Sequence, residues 1–220
     1  MQLSPLRFSA REKRLPLWLG AASLSFGIFV KITSELLERE GRGLDSSILT
    51  AVAKMRRPWL TGVAVDVTAL GSLTLVALIS AIALCILLSL RDRAAAWQLF
   101  LNSVGAGIWT GLTKNVIERA RPEDVTHLVQ VSGFSYPSGH SLVSASLYLT
   151  IAILAGRHLP TTKSRVLLLC LAIVIISLVG MSRVYLGVHY PSDVVSGVLL
   201  GLAWALLLAG GFSMIERRVS

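Results

Sequence analysis

The sequence predicts an all-α, polytopic membrane protein with six transmembrane helices in a bundle and a short interfacial helix in the first outward loop. Three observations predict it. Of the 220 residues 54% are apolar and only 15% charged, where soluble domains hold about 45–50% and about 25%. The mean hydropathy is +0.70. Apolar runs near the ~20 residues needed to cross the hydrocarbon core recur along the chain. A cytosolic domain, a disordered chain and a secreted disulfide scaffold are excluded by this composition.

The first run is Leu15 to Leu36, interrupted only by Lys31 and Glu35 near its end, where long side chains reach the interface. A charge-rich segment follows in place of a small-residue cleavage site, so the N-terminus is expected to stay attached as a span. The next outward segment, Glu38 to Arg57, carries Ile48, Leu49, Val52 and Met55 at helical spacing, which predicts a short helix over Ser46 to Met55 lying on the membrane. Val67 to Leu90 and Ala94 to Thr113 are the second and third spans, both free of Asp, Glu, Lys and Arg. A polar loop, Lys114 to Gly139, separates them from the fourth span, Ser141 to Gly156, which is short unless earlier residues extend it. Val166 to Ser182 and Val194 to Ile215 complete the six, and residues 1–220 read as one membrane-embedded domain. Gly107-x3-Gly111 and Gly197-x3-Gly201 have a spacing that lets helices approach, so all four are expected at packing positions. Cys85 and Cys170 each lie inside an apolar run and are expected to be buried, unpaired packing residues.

Six spans put both termini on one side. The loops on that side carry eleven of the 21 Lys and Arg residues, among them Arg7, Arg11, Lys13, Arg91, Arg93, Arg217 and Arg218, and by the positive-inside rule they are cytoplasmic. The net charge of +9 therefore faces lipid headgroups or an anionic substrate, and no nucleic-acid partner is expected.

Three clusters sit at the outward ends of spans three to six. Lys114 and Arg121-Pro122 leave span three. Seven residues are two helical turns, so on a continued helix, which Pro122 would stop, both cations project from one face and can grip a dianion. Tyr136-Pro137-Ser138-Gly139-His140 precedes span four: Ser138 suits an N-cap, Gly139 admits close backbone approach, the first amides of the span face an anion, and His140 can donate a proton. Ser182-Arg183, His189 and Asp193 join spans five and six. Asp193, four residues after His189, can accept a hydrogen bond from one ring nitrogen and leave the other free as a nucleophile. Singly these are ordinary caps and interfacial charges. Two histidines, one aspartate, three cations and a glycine-bearing helix start on one side of the membrane are a poor bet for chance and point to a shared site for an anion.

Together Lys114-x6-Arg121-Pro122, Pro137-Ser138-Gly139-His140 and Ser182-Arg183-x5-His189-x3-Asp193 resemble the three-part signature of the type 2 phosphatidic acid phosphatase family, membrane lipid phosphate phosphatases related to vanadium haloperoxidases. The resemblance implies a hydrolase in which His189 attacks phosphorus to form a phosphohistidine and Asp193 orients it. His140 would protonate the leaving group and then activate water. Lys114, Arg121, Ser138, Gly139 and Arg183 would bind the phosphate oxygens. It implies no cofactor and no metal, since three cations can do a metal's electrostatic work and no carboxylate cluster is at hand for Mg²⁺. The expected partners are membrane lipids and a lipid phosphate substrate: undecaprenyl pyrophosphate, phosphatidylglycerol phosphate or phosphatidic acid. A lipid A 1-phosphatase or lipid phosphotransferase using the same site is the alternative, and an anion or lipid transporter ranks lower because the charges lie at span ends. The expected location is the inner, cytoplasmic membrane, with the site on the extracytoplasmic face and the termini cytoplasmic.

Overall fold

The computed structural model describes residues 14–38 and 42–219, and among them there are eight α-helices and no strand. α1 (Arg14–Leu37), α6 (Gly139–Gly156), α7 (Thr162–Tyr185) and α8 (Pro191–Val219) are each long and apolar enough to cross a bilayer. α5 (Arg93–Ile117) contains the predicted third run. α2 (Arg42–Lys54) occupies the segment where a short helix was expected, beginning before Ser46. Arg7, Arg11 and Lys13, on which part of the expected topology rests, lie outside the described residues.

The second predicted span, Val67 to Leu90, is not one helix. α3 (Pro58–Ala69) and α4 (Leu73–Ser89) meet at a 45° bend. Packing explains the break: a Cβ on Gly71 would lie 2.6 Å from Val179 Cγ1 and 2.8 Å from Ser144 Oγ, so α7 and α6 approach tightly there. The Tyr148 hydroxyl donates to the Leu70 carbonyl at 2.8 Å, and Ser72 caps α4 by accepting from the Leu75 N–H at 3.2 Å. Backbone groups freed by the bend thus keep partners inside the bundle, as a low-dielectric surround requires.

The other starts follow the same local chemistry. Asp92 accepts from the Ala95 N–H at 3.0 Å to cap α5, Ser138 from the Ser141 N–H at 3.4 Å to cap α6, and Thr161 from the Ser164 N–H at 3.1 Å to cap α7. Because its cap precedes His140, α6 reaches the 18 residues that the predicted run lacked.

α6 is the most enclosed span and packs against α5, α7 and α8. Its inward face is small and polar, with Ser141, Ser144, Ser146 and Thr150 all buried. The Ser146 hydroxyl donates to Asn102 Oδ1 of α5 at 2.8 Å, and the Trp204 indole of α8 donates to the Asn102 carbonyl at 3.2 Å. The outward faces are different: Leu24 on α1, Leu78 on α4 and Ile173 on α7 are exposed along with most of their apolar neighbours. Such a surface is stable against lipid and not against water, so this is a multi-pass membrane protein. The same reason corrects the expectation for the cysteines: Cys85 and Cys170 are unpaired but exposed, because a membrane helix turns part of its apolar surface to lipid.

The glycine pairs also divide. A Cβ on Gly197 would sit 2.5 Å from the Ser138 carbonyl oxygen and 3.1 Å from Ser141 Cβ, so α8 and α6 meet backbone to backbone here, and Gly201 likewise abuts Leu142. Gly107 and Gly111, expected at packing positions too, have nothing within 4 Å of a Cβ. The α5 glycine that packs is Gly105, under Trp204. Gly197→Ala is therefore expected to destabilise by about 1–3 kcal/mol, the usual size of an overpacked core, and Gly107→Ala by less than about 1 kcal/mol. Thermal unfolding in detergent micelles measures both; equal unfolding temperatures would contradict the α6–α8 contact.

Candidate active site

The turn between α7 and α8 carries the centre of the site. α7 ends at Tyr185, and Gly187 takes φ +79°, a left-handed conformation that L side chains avoid. A Cβ there would also lie 2.6 Å from Arg56 Nη2 and 2.9 Å from the Thr126 carbonyl. This tight turn delivers His189 just ahead of α8, with Asp193 in the first turn of that helix. Their expected pairing is present: His189 Nδ1 lies 3.4 Å from Asp193 Oδ2. Both side chains are buried.

Asp193 Oδ2 also accepts from the Ser135 hydroxyl and, at 2.9 Å, from the Tyr190 N–H. An ionised carboxylate only accepts, so the Nδ1 facing it carries the proton and Nε2 keeps its lone pair. Burial pulls the His189 imidazole down to about 4, Asp193 opposing, so the ring is neutral at neutral pH.

Nε2 looks toward cations. Arg121 Nη1 stands 3.4 Å from it. Arg121 is held by three carbonyls: Nε donates to Gly133 at 2.9 Å, Nη2 to Ser132 at 2.9 Å and Nη1 to Val188 at 2.8 Å. Burial lowers its pKa against the pull of Asp193, which marks a partly desolvated cation that an anion would stabilise. The route by which it arrives differs from the predicted one. α5 stops at Ile117, Glu118 turns left-handed with φ 48°, and Arg121 belongs to the following loop, not to a continued helix beside Lys114. The chain ends the helix at Ile117, five residues before Pro122, the expected stop. Lys114 stays on the last turn of α5 and donates to the Phe134 carbonyl.

The remaining predicted residues converge on the same place. His140, second residue of α6, is within electrostatic reach of Arg183, His189, Arg121 and Lys114. Arg183, buried on the last turn of α7, donates from Nη1 to Thr68 Oγ1 of α3 at 2.8 Å, while its buried Nε has no partner among the described residues. Ser138, fully buried, accepts from the Ser141 hydroxyl at 3.0 Å, and its N–H donates to the Asp193 carbonyl at 2.9 Å, tying the start of α6 to the start of α8. Gly139 follows, with Thr110 Cγ2 at 3.0 Å from where a Cβ would stand. All eight predicted residues thus surround one region at the ends of α5, α6, α7 and α8. The geometry offers a nucleophilic nitrogen, a second histidine, and three cations with helix-start amides where the oxygens of an anion would sit. Among the described residues no group of three or more His, Cys, Asp or Glu side chains is arranged to hold a metal ion.

Four contributors were not read from the sequence. Arg119 donates from Nη1 to Asp193 Oδ1 at 2.5 Å and from Nη2 to Asp45 Oδ2 of α2 at 2.7 Å. Burial opposes its charge, but Asp193 and Asp45 outweigh it and hold the Arg119 pKa above its usual value. Ser135 and Thr68 complete the set. Arg119 was visible only as one of six unassigned residues between Lys114 and Arg121, and nothing local links it to an aspartate 74 positions away.

A helical membrane protein with a buried His–Asp pair, a second histidine on a capped helix start and three cations within electrostatic reach of it defines a class of phosphate-handling membrane proteins. The chain belongs to the PAP2 superfamily, whose model matches residues 95–216, in agreement with the resemblance carried by the three motifs. It is 34% identical over 200 residues to phosphatidylglycerophosphatase B of Bacillus subtilis, an alignment covering 87% of this chain and 95% of that one. It is 35% identical over 120 residues to the lipid A 1-phosphatase of Rhizobium johnstonii, covering 50% of this chain and 45% of that protein. The crystal structure of the transmembrane PAP2-type phosphatidylglycerolphosphate phosphatase from Bacillus subtilis superposes with a TM-score of 0.82 at 31% identity, over 90% of this chain and 97% of that one.

Proposed function

We propose that the chain is an integral membrane lipid phosphatase acting through a phosphohistidine on His189, without a metal, and that phosphatidylglycerol phosphate is its favoured substrate. The observation that carries this is the arrangement around one ring: Asp193 takes Nδ1 of a neutral His189, and Nε2 is left facing Arg121. The substrate choice leans on the relatives that match over most of the chain.

In the first step Nε2 attacks phosphorus in line and the P–O bond to the lipid breaks; Asp193 stabilises the positive charge that develops on the ring. His140 gives its proton to the leaving oxygen. In the second step it takes a proton from water, whose oxygen attacks phosphorus and releases phosphate from His189. Lys114, Arg121, Arg183, the Ser138 hydroxyl and the Gly139 amide bind the equatorial oxygens, where negative charge concentrates in the transition state.

The topology that fits this role has six passes, with α3 and α4 forming one broken span and α2 lying at the interface. The site then opens on the extracytoplasmic face of the inner membrane and the termini are cytoplasmic, in keeping with the basic excess of the loops opposite the site. Residues 1–220 act as a single domain.

Phosphate release by the purified protein tests this on a panel of phosphatidylglycerol phosphate, phosphatidic acid, undecaprenyl pyrophosphate and lipid A, each with and without EDTA. Release from phosphatidylglycerol phosphate at the highest rate, unchanged by EDTA, is the expected result. A panel left intact overturns the phosphatase reading, and activity lost to EDTA and restored by Mg²⁺ overturns metal independence.

A further inference from the structure

We propose that Arg119 is a positioning residue: clamped between Asp45 of α2 and Asp193 of α8, it holds the Asp193 carboxylate in the orientation that His189 requires. The proposal rests on the phosphatase reading above and adds a part of the machinery that the three motifs leave out.

The guanidinium is fixed on every side. Nη1 donates to Asp193 Oδ1 at 2.5 Å and to Ser192 Oγ at 2.8 Å, Nη2 donates to Asp45 Oδ2 at 2.7 Å, and the Tyr190 ring lies 4.1 Å from the guanidinium carbon. Asp45 is itself anchored, because its Oδ1 accepts the Ser192 N–H at 3.0 Å and its Oδ2 accepts the Ser192 hydroxyl. A planar fork that reaches two carboxylates at once is a task for arginine and not for lysine.

Arg119 also reaches the second oxygen of Asp193. Its carbonyl accepts the Ser135 N–H at 2.8 Å, and the Ser135 hydroxyl donates to Asp193 Oδ2, the oxygen that faces His189 Nδ1. One residue therefore sets both ends of the carboxylate, Oδ1 by its side chain and Oδ2 through Ser135. Its charge is spent on the two aspartates, whereas Arg121 stands 3.4 Å from His189 Nε2. The consequence for architecture is that α2, which lies before the matched region 95–216, reaches the catalytic carboxylate through a single side chain.

The charged and titratable groups facing His189 are Asp193 from α8, Arg121 from the loop, His140 from α6 and Arg183 from α7. Without Arg119, Asp193 gives more of its charge to His189 and favours the protonated ring. The acid limb of the rate profile then moves to higher pH, which a merely structural role would not cause.

The test is steady-state hydrolysis of phosphatidylglycerol phosphate by the full chain in detergent micelles across pH, with thermal unfolding recorded for each variant. Arg119→Gln is expected to lower kcat about 10- to 100-fold, the range for partners that orient a functional histidine, with KM within about 3-fold and the acid limb raised. Arg119→Lys is expected to recover only part of kcat. Asp45→Asn is expected to lower kcat less than Arg119→Gln does, and to add nothing when combined with it. Wild-type kcat and an unmoved limb in folded Arg119→Gln, a loss confined to KM, or additive effects of Asp45 and Arg119 would overturn the clamp. Should Arg119→Gln not fold, Arg119→Lys and Asp45→Asn are read by the same criteria. A wild type that hydrolyses nothing strikes the phosphatase reading instead, and the unfolding temperatures of Asp45→Asn, Arg119→Lys and the double variant still decide whether the two residues act as a unit.

Discussion

His189→Ala is expected to lower kcat for phosphate release from phosphatidylglycerol phosphate by at least ~10⁴-fold, because it removes the proposed nucleophile itself and not a contact to it. The variant should still fold. The Asp193 carboxylate keeps Arg119, the Ser135 hydroxyl and the Tyr190 N–H when the imidazole is gone, so no unpaired charge is left buried. Rapid quench of the wild type should trap phosphate on protein as an acid-labile phosphoramidate, and the variant should trap none. Full activity in His189→Ala, or trapped phosphate in it, would remove His189 from the nucleophile's role. The ring's pKa of about 4 adds a pH signature. Only neutral imidazole attacks, so the acid limb that His189 sets lies at that value, where rate is lost as pH falls through it. An acid limb near pH 6.5, the same for monophosphate and pyrophosphate substrates, would show an unperturbed histidine instead.

Asp193→Asn is expected to lower kcat by about 10²–10⁴-fold, as when a histidine's orienting carboxylate is replaced by its amide. The physical reason lies in the neighbours. Asp193 is surrounded by donors: the Arg119 guanidinium, the Ser135 hydroxyl, the Tyr190 N–H and His189 Nδ1. An asparagine amide must point its own N–H₂ at some of them, which strands donor against donor and either turns His189 to the wrong tautomer or leaves Arg119 Nη1 facing an N–H₂, with Asp45 as its remaining carboxylate. The second effect should also cost stability, by about 1–3 kcal/mol as for a buried donor left without its acceptor. Measuring kcat and the unfolding temperature together separates the two. Asp193→Asn with wild-type kcat would mean that the carboxylate does not orient the nucleophile.

Much of the site was legible because its residues lie close in sequence to features with their own local signals. Ser138 is a cap before an apolar run, and His189 and Asp193 pair across four residues at a helix start. Arg183 and Lys114 end apolar runs. Such signals survive without knowledge of the fold, since caps, turns and short pairings depend on a few neighbouring dihedrals. What was misread depended on where other helices lie. Lys114 and Arg121 were placed on one helix face by counting turns, but Glu118 reverses the chain. Arg121 is then held by carbonyls of Ser132, Gly133 and Val188, partners up to 67 residues away. The span from Val67 to Leu90 bends because Val179 and Ser144 crowd Gly71, which no hydropathy count can register.

The glycine pairs state the same distinction within one motif type. Gly107-x3-Gly111 and Gly197-x3-Gly201 are indistinguishable as patterns, yet α6 lies against the second pair and against neither member of the first. By itself the sequence determined the solvent, a bilayer, through long apolar runs whose backbone polar groups must be satisfied by helix. It also carried the family, through three motifs whose ordered residues match the PAP2 superfamily. Only the tertiary structure decided how those side chains are held: Asp45 to Arg119 to Asp193, and Thr68 to Arg183. These are contacts between segments 74 and 115 residues apart. Hydrogen bonds of that range leave no periodicity in the chain, because they are specified by how helices pack and not by the order of neighbouring residues.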